Sequence, residues 1–322
     1  MSSKRLSIIT SLITTSLKIF GLFPFSIKNL KVSKSKFLVF YSIVFASLWL
    51  SYVIYLYINR NFKNFGLMTE EFERLANATV MLIGLVCNLC KTNSCAKTIE
   101  DVISISKILC RKWFEKIAFW SLSTQYFLFI VSIASMYFYS TEVHPQIKDF
   151  PILSVYSACL FGFNFAYSNA LFICFKALQR TNNALLSELT CKKTEISEGI
   201  VLKIKTAEEY KRRVNATTLI SRFKEIYDLC ERLDGFFGIL MVMNLFSVSV
   251  EILFTCYFIV AYRTDPYMIY VLWLILVCLA EWIVIFSCDL VMKESRKTGL
   301  FIHEIISQSE DENLKGMVSI QE

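Results

Sequence analysis

Two carboxylates stand where a carboxylate is costly. Glu251 lies inside an apolar run from Phe236 to Tyr262, and Glu281 inside another from Tyr267 to Leu290. In a bilayer each falls near the middle of its run, and ionisable groups at that depth tend to line cavities or pathways. Asp289, at the end of the second run, fits an interfacial position instead. Neighbouring runs add neutral polar groups: Thr124, Gln125 and Tyr126 in one, Asn164, Tyr167, Ser168 and Asn169 in another. Aromatic walls with a few convergent polar groups are the usual form of a small-molecule site. The ligand-binding candidates are therefore Gln125, Tyr126, Asn164, Tyr167, Asn169, Glu251 and Glu281. Single Asn, Gln and Ser residues also serve simply to bond one helix to the next, so that reading stays open beside the first.

Catalysis finds little support. The chain has no GxSxG, no HExxH and no glycine-rich phosphate loop. Its two histidines, His144 and His303, have no nucleophile or carboxylate partner nearby in sequence. A non-enzymatic protein without a cofactor is expected. Cys87 and Cys90 form a CxxC, followed by Cys95 and Cys110. Zinc would want a second close pair or well-spaced histidines, so no metal is expected either. The eleven cysteines sit mostly in apolar segments or lysine-rich loops. There they read as small buried hydrophobes rather than a disulfide framework.

The elements that must hold these residues follow from composition. At 55% hydrophobic and 19% charged residues, with mean hydropathy +0.50, a soluble domain could not hide the apolar surface. This is an all-α, multi-pass transmembrane helical bundle. Six runs have roughly the 17–25 residues a span needs: Phe37–Ile58, Leu75–Cys90, Ile117–Ser140, Ile152–Ala177, Phe236–Tyr262 and Tyr267–Leu290. No cleavable signal peptide is expected, because the run from Leu6 to Leu22 is broken by Lys18 and lacks a small-residue cleavage site.

Lysine and arginine orient the bundle. The N-terminal segment, the loop at 91–116, the fourth loop and the C-terminal tail hold 7, 6, 11 and 4 of them, against 3, 1 and 1 for the intervening segments. The N-terminus, the long loop and the C-terminus are thus expected in the cytoplasm. The net charge of +7 orients the protein, and nothing suggests nucleic acid as a partner. The division is a cytoplasmic or interfacial segment (1–36), spans one to four (37–178), a cytoplasmic helical loop (179–235), spans five and six (236–290) and a cytoplasmic tail (291–322).

The fourth loop continues its flanking spans. Leu219, Phe223, Ile226, Cys230, Leu233 and Phe237 recur at alternating spacings of four and three. Leu171, Phe175, Leu178, Leu185 and Leu189 keep the same rhythm, with Asn182 in one slot. That is a helical seam of coiled-coil type, so the fourth and fifth helices should extend into the cytoplasm and pack there. A hairpin within one subunit and a hub joining subunits both fit.

The stretch "LKIFGLFPF" (residues 17–25), just before an N-inside first span, resembles the start of insect gustatory receptors. "FKEIYDLCERLDGFFGILMVMNLF" (223–246) is similar to that family's charged helix running into an apolar span. "SCDLVMKESRKTGLFIHEIISQ" (287–308) looks like the helix leading to its seventh span. The likeness covers essentially the whole chain and rests on the order of these motifs.

What the resemblance implies is a chemoreceptor: a ligand-gated, non-selective cation channel in the plasma membrane of sensory neurons, in dendrite, axon and cell body. It implies a small-molecule tastant bound in an outward-facing pocket, and feeding acceptance or avoidance as the outcome. A homo- or hetero-tetramer with other gustatory receptors is implied, joined through the cytoplasmic helical extensions. Leu219, Phe223, Ile226 and Leu233 are the oligomer-contact candidates. The opening patch would lie against membrane lipid, its phenylalanines in the inner leaflet and Lys18 and Lys28 at the headgroups. The family carries a seventh, pore-lining span ending in a Thr-Tyr…Gln-Phe signature, whereas this chain stops at "NLKGMVSIQE" without a further apolar run. A non-conducting or modulatory truncated subunit is therefore the alternative. A six-span transporter or another channel would show internal repeats or matched broken helices, yet Gly162 and Pro151 have no counterparts.

Overall fold

A computed structural model describes residues 24–28, 31–58, 65–109, 150–198, 205–261 and 267–307, with residues 15, 18, 123, 127, 130, 131 and 134 besides. Among them are six helices: α1 (Lys36–Ile58), α2 (Phe65–Cys90), α3 (Thr92–Leu109), α4 (Phe150–Glu198), α5 (Lys205–Ala261) and α6 (Tyr267–Ser307). A two-stranded antiparallel hairpin precedes them, β1 (Phe25–Lys28) and β2 (Lys31–Lys34), with Phe25 opposite Lys34 and Ser26 opposite Ser33. The protein is a multi-pass helical membrane protein, as composition requires. The hairpin is the one departure from all-α among the described residues. Its strands are four residues each, too short for alternation to stand out among the lysines. The expected third span lies almost wholly outside the described residues. So do Gln125 and Tyr126 within it, and all of "LKIFGLFPF" except Lys18, Pro24 and Phe25.

Helix α1 shows why these runs cross a membrane. Its 23 residues contain neither glycine nor proline and reach about 34 Å at 1.5 Å per residue, enough for a hydrocarbon core of about 30 Å. Ser35 caps its start: its Oγ accepts from the Leu38 amide at 3.4 Å and its carbonyl from the Val39 amide at 2.9 Å. Phe37, Phe40, Leu48 and Ile58 are exposed. Such a face would be an aggregation hazard in water and suits lipid. Stretches of α5 and α6 are also long and apolar enough to cross, while α2 meets α3 at a bend of 81°.

Contacts divide the chain into two compact units, Met1–Asn169 with Arg232–Ile285, and Ala170–Glu231 with Phe286–Glu322. In the first, α1 packs on α2, and the Trp49 indole donates to the Ala78 carbonyl at 2.8 Å. Trp49, Ala78, Met81 and Leu85 share a core with Cys95, Phe236, Val248 and Val277. Gly84 of α2 faces Phe163 and Leu240, and a Cβ there would meet them at ordinary contact distances of 3.4 and 3.5 Å. Helix α3 is tied in by polar contacts. Asp101 pairs with Arg232 at 2.9 Å, Lys91 donates to the Gly235 carbonyl, and Glu100 accepts from the Val32 amide at 3.0 Å.

Phe25 belongs to this core and is fully buried, as is Pro24. The opening patch was expected to dip into a leaflet, and for Phe25 the structure corrects that. The β-hairpin folds the ring back onto the helices, where neighbouring side chains replace lipid.

The second unit is a helical bundle whose seam follows the rhythm of the sequence. Leu171, Phe175, Leu178, Asn182 and Leu185 of α4 are buried, as are Leu219, Ile226 and Leu229 of α5. A third arm joins them. Helix α6 runs on to Ser307, well past the expected end of span six at Leu290. It buries Val291, Glu294, Thr298, Ile302 and Ile305, a 3–4 spacing hidden in the sequence by the two polar members. Ile302 and Ile305 pack with Leu185, Leu219 and Ile220. Asn182 Nδ2 donates to the Glu294 carbonyl at 3.0 Å and to its carboxylate at 2.8 Å, and Lys297 pairs with the same carboxylate at 2.7 Å. Burial pushes the Glu294 carboxyl up, but the Lys297 and Asn182 donors outweigh it and hold the group below the usual carboxylate range.

Candidate functional site

Helix α5 supplies the frame. Asn244, Ser247, Glu251 and Thr255 recur at spacings of three, four and four, which places them on one face. All four are buried. A polar stripe through an apolar helix must find its partners on neighbouring helices, because lipid offers none.

Asn244 meets two of them at once. Its amide donates to Asn164 Oδ1 of α4 and to Glu281 Oε1 of α6, both at 2.8 Å. Asn164 in turn donates to Glu281 Oε1 at 2.8 Å. Three helices are thus closed by a ring of side-chain hydrogen bonds around one carboxylate oxygen. Asn164 is 0% exposed and Glu281 7%, so water does not compete for these bonds. The second oxygen, Glu281 Oε2, has no hydrogen-bond partner among the described residues.

One turn along α5, Ser247 bonds to Asn77 of α2. One further turn along, the Trp273 indole of α6 donates to Glu251 Oε1 at 2.5 Å. Glu251 is 3% exposed, and its Oε2 also lacks a partner among the described residues. The pairings 244 with 281 and 251 with 273 fix an antiparallel register between α5 and α6. On α5, Asn244 and Glu251 are seven residues apart, about 10 Å along the axis, so the two carboxylates occupy separate levels.

Of the ligand candidates, the structure brings Asn164 and Glu281 into contact, with Glu251 two turns away on the face that carries Asn244. Tyr167 is buried with its ring 5.2 Å from that of Phe237. Asn169 is half-buried and donates to the Phe165 carbonyl of its own helix at 2.7 Å. Gln125 and Tyr126 lie outside the described residues. Asn244, Ser247, Asn77 and Trp273 were not singled out from sequence. The 3–4–4 spacing on α5 was the signal that could have found the first two. Among the oligomer-contact candidates, Leu219, Ile226 and Leu233 are buried within the single chain and Phe223 is half-buried. In the CxxC, Cys87 is half-buried and Cys90 exposed. Cys95 of α3, beyond the apolar run, sits in the core, where burial pushes its thiol up to about 12. It behaves as a small hydrophobe.

A family model described as 7tm chemosensory receptor matches residues 10–320. Comparison with curated proteins gives no match. The family is one of receptors for small molecules rather than of enzymes. With nearly its whole length matched, helices that cross a membrane and a buried polar ring linking three of them, this chain belongs to the 7tm chemosensory receptor family.

Proposed function

We propose that this receptor is a gustatory receptor, a subunit of a ligand-gated, non-selective cation channel that detects tastants at the plasma membrane of chemosensory neurons. It would lie in dendrite, axon and cell body with its N-terminus in the cytoplasm, and drive feeding acceptance or avoidance. The observation that carries the reading is the ring formed by Asn164, Asn244 and Glu281. A ligand that offers better partners to one member breaks hydrogen bonds shared by three helices. Gating needs such an element: a packed arrangement with a discrete alternative that ligand affinity can bias.

The family resemblance and the helical extensions support a homo- or hetero-tetramer with other gustatory receptors. Since most of the seam is filled by the chain's own helices, contact between subunits falls to outward residues such as the 54% exposed Tyr227, with the half-buried Phe223 at the seam's margin. The test is electrophysiological. The receptor, expressed alone and with other family members, should pass a cation current when tastants are applied. A surface-delivered receptor silent to a broad panel in every combination would count against the channel reading and favour a modulatory subunit.

A further inference from the structure

Glu251 and Glu281 share a deficit that no other described residue corrects. Each is more than nine-tenths buried, each accepts through Oε1, and each keeps an Oε2 with no partner. A buried carboxylate normally has a cation beside it. Yet no lysine, arginine or histidine occurs in the apolar runs 37–58, 75–90, 117–140, 236–262 or 267–290, and Lys176 lies at the very end of 152–177. Among the described residues, Lys176 is spoken for: it donates to Gln179 at 2.9 Å and lies over the Phe172 and Phe175 rings. Among the described residues neither carboxylate has an ion-pair partner, so its balance is a proton or a cation brought in from outside.

The two glutamates differ in what surrounds them. Glu281 is ringed by amide donors, which already satisfy its charge in part. Glu251 has instead the Trp273 indole bonded to Oε1, and that indole packs on Phe165 and Ala280. A carboxylate oxygen beside a tryptophan held by the same carboxylate is the complement of an ammonium group. The oxygen accepts a charge-assisted hydrogen bond, and an indole face attracts a cation. We propose that Glu251 and Trp273 form the recognition point for the cationic group of a protonated-amine ligand. The inference rests on the small-molecule reading above and names the chemical class that this level of the bundle selects.

The test compares two probes of equal length on the purified full chain in non-ionic detergent at neutral pH: butylammonium chloride and 1-butanol. Affinity is read by thermal shift against probe concentration. Butylammonium should bind about tenfold or more tighter, the margin expected of a charge-assisted bond with a cation–π contact. Glu251→Gln should bring it to the level of butanol, while Glu225→Gln on an exposed face of α5 leaves the preference intact. Trp273→Phe, which keeps a ring but loses the hydrogen bond to Glu251, should reduce the preference without erasing it. That variant and the wild-type comparison decide the matter even if Glu251→Gln does not fold. Equal binding of both probes would mean that a proton balances the carboxylate, and would overturn the proposal. So would a preference that Glu251→Gln leaves unchanged, or failure to bind either probe. A receptor that responds to neutral tastants without an ammonium preference loses this inference and keeps its function.

Discussion

Asn164 and Glu281, 117 residues apart in sequence, meet at 2.8 Å in the membrane half of the chain, and Asn244 bonds to both. This three-cornered contact joins α4, α5 and α6. Asn244→Leu removes one donor from each partner and leaves buried acceptors short. It should lower stability by about 1–2 kcal/mol, within the range for polar groups stranded in a protein interior. A double-mutant cycle with Asn164→Ala should show a coupling of about 0.6 kcal/mol or more, the typical value for hydrogen-bonded pairs between membrane helices. Additive effects would mean that the ring carries no shared energy.

Phe25 separates a core role from a lipid anchor. Fully buried among Trp49, Ala78 and their neighbours, it should cost about 3–5 kcal/mol when replaced by alanine. The loss should persist in detergent, where no leaflet exists to receive the ring. A Phe25→Ala protein that melts normally in detergent would return the opening patch to the membrane surface.

Glu294 predicts an acid limb in the stability of the helical extension. Its carboxyl lies below the usual range because Lys297 and Asn182 outweigh burial. A group depressed on folding contributes stability at neutral pH and loses it as pH falls through the lowered value. The gap between wild type and Glu294→Gln should therefore be present at pH 7 and close on acidification. A gap that widens in acid would reverse the sign of the shift.

Leu185 tests where the seam packs. It is fully buried against Leu219, Ile220, Ile302 and Ile305 of its own chain. Leu185→Ala should destabilise the subunit by about 2–5 kcal/mol before it changes the oligomeric state seen by light scattering. Dissociation at unchanged subunit stability would assign the seam to the interface between subunits.

Much of this arrangement could be read from residue order. Apolar runs located α1 and the stretches of α5 and α6 that are long and apolar enough to cross, because lipid imposes a length and admits no polar backbone. The 4–3 rhythm of Leu219, Ile226 and Leu233 located the buried seam. The third arm stayed hidden because Glu294 and Thr298 occupy apolar slots and are satisfied there by Asn182, Lys297 and the helix's own carbonyls. Asn164, Glu251 and Glu281 stood out because single polar residues in apolar runs are conspicuous. Their pairing did not, since it depends on the register between helices whose connections say nothing of rotation. Asn244 lies well inside the fifth span and was not singled out, although it binds the other two corners together.

The most direct measurement is whole-cell recording from cells that express the receptor, with wild type and Asn244→Ala matched for surface level. The wild type should answer tastants with a current carried by sodium and potassium alike, and the variant should shift the concentration of half-maximal response by about tenfold, the equivalent of 1.4 kcal/mol of lost coupling. A current whose ligand dependence is identical in the two proteins would contradict the idea that this buried ring links ligand to pore.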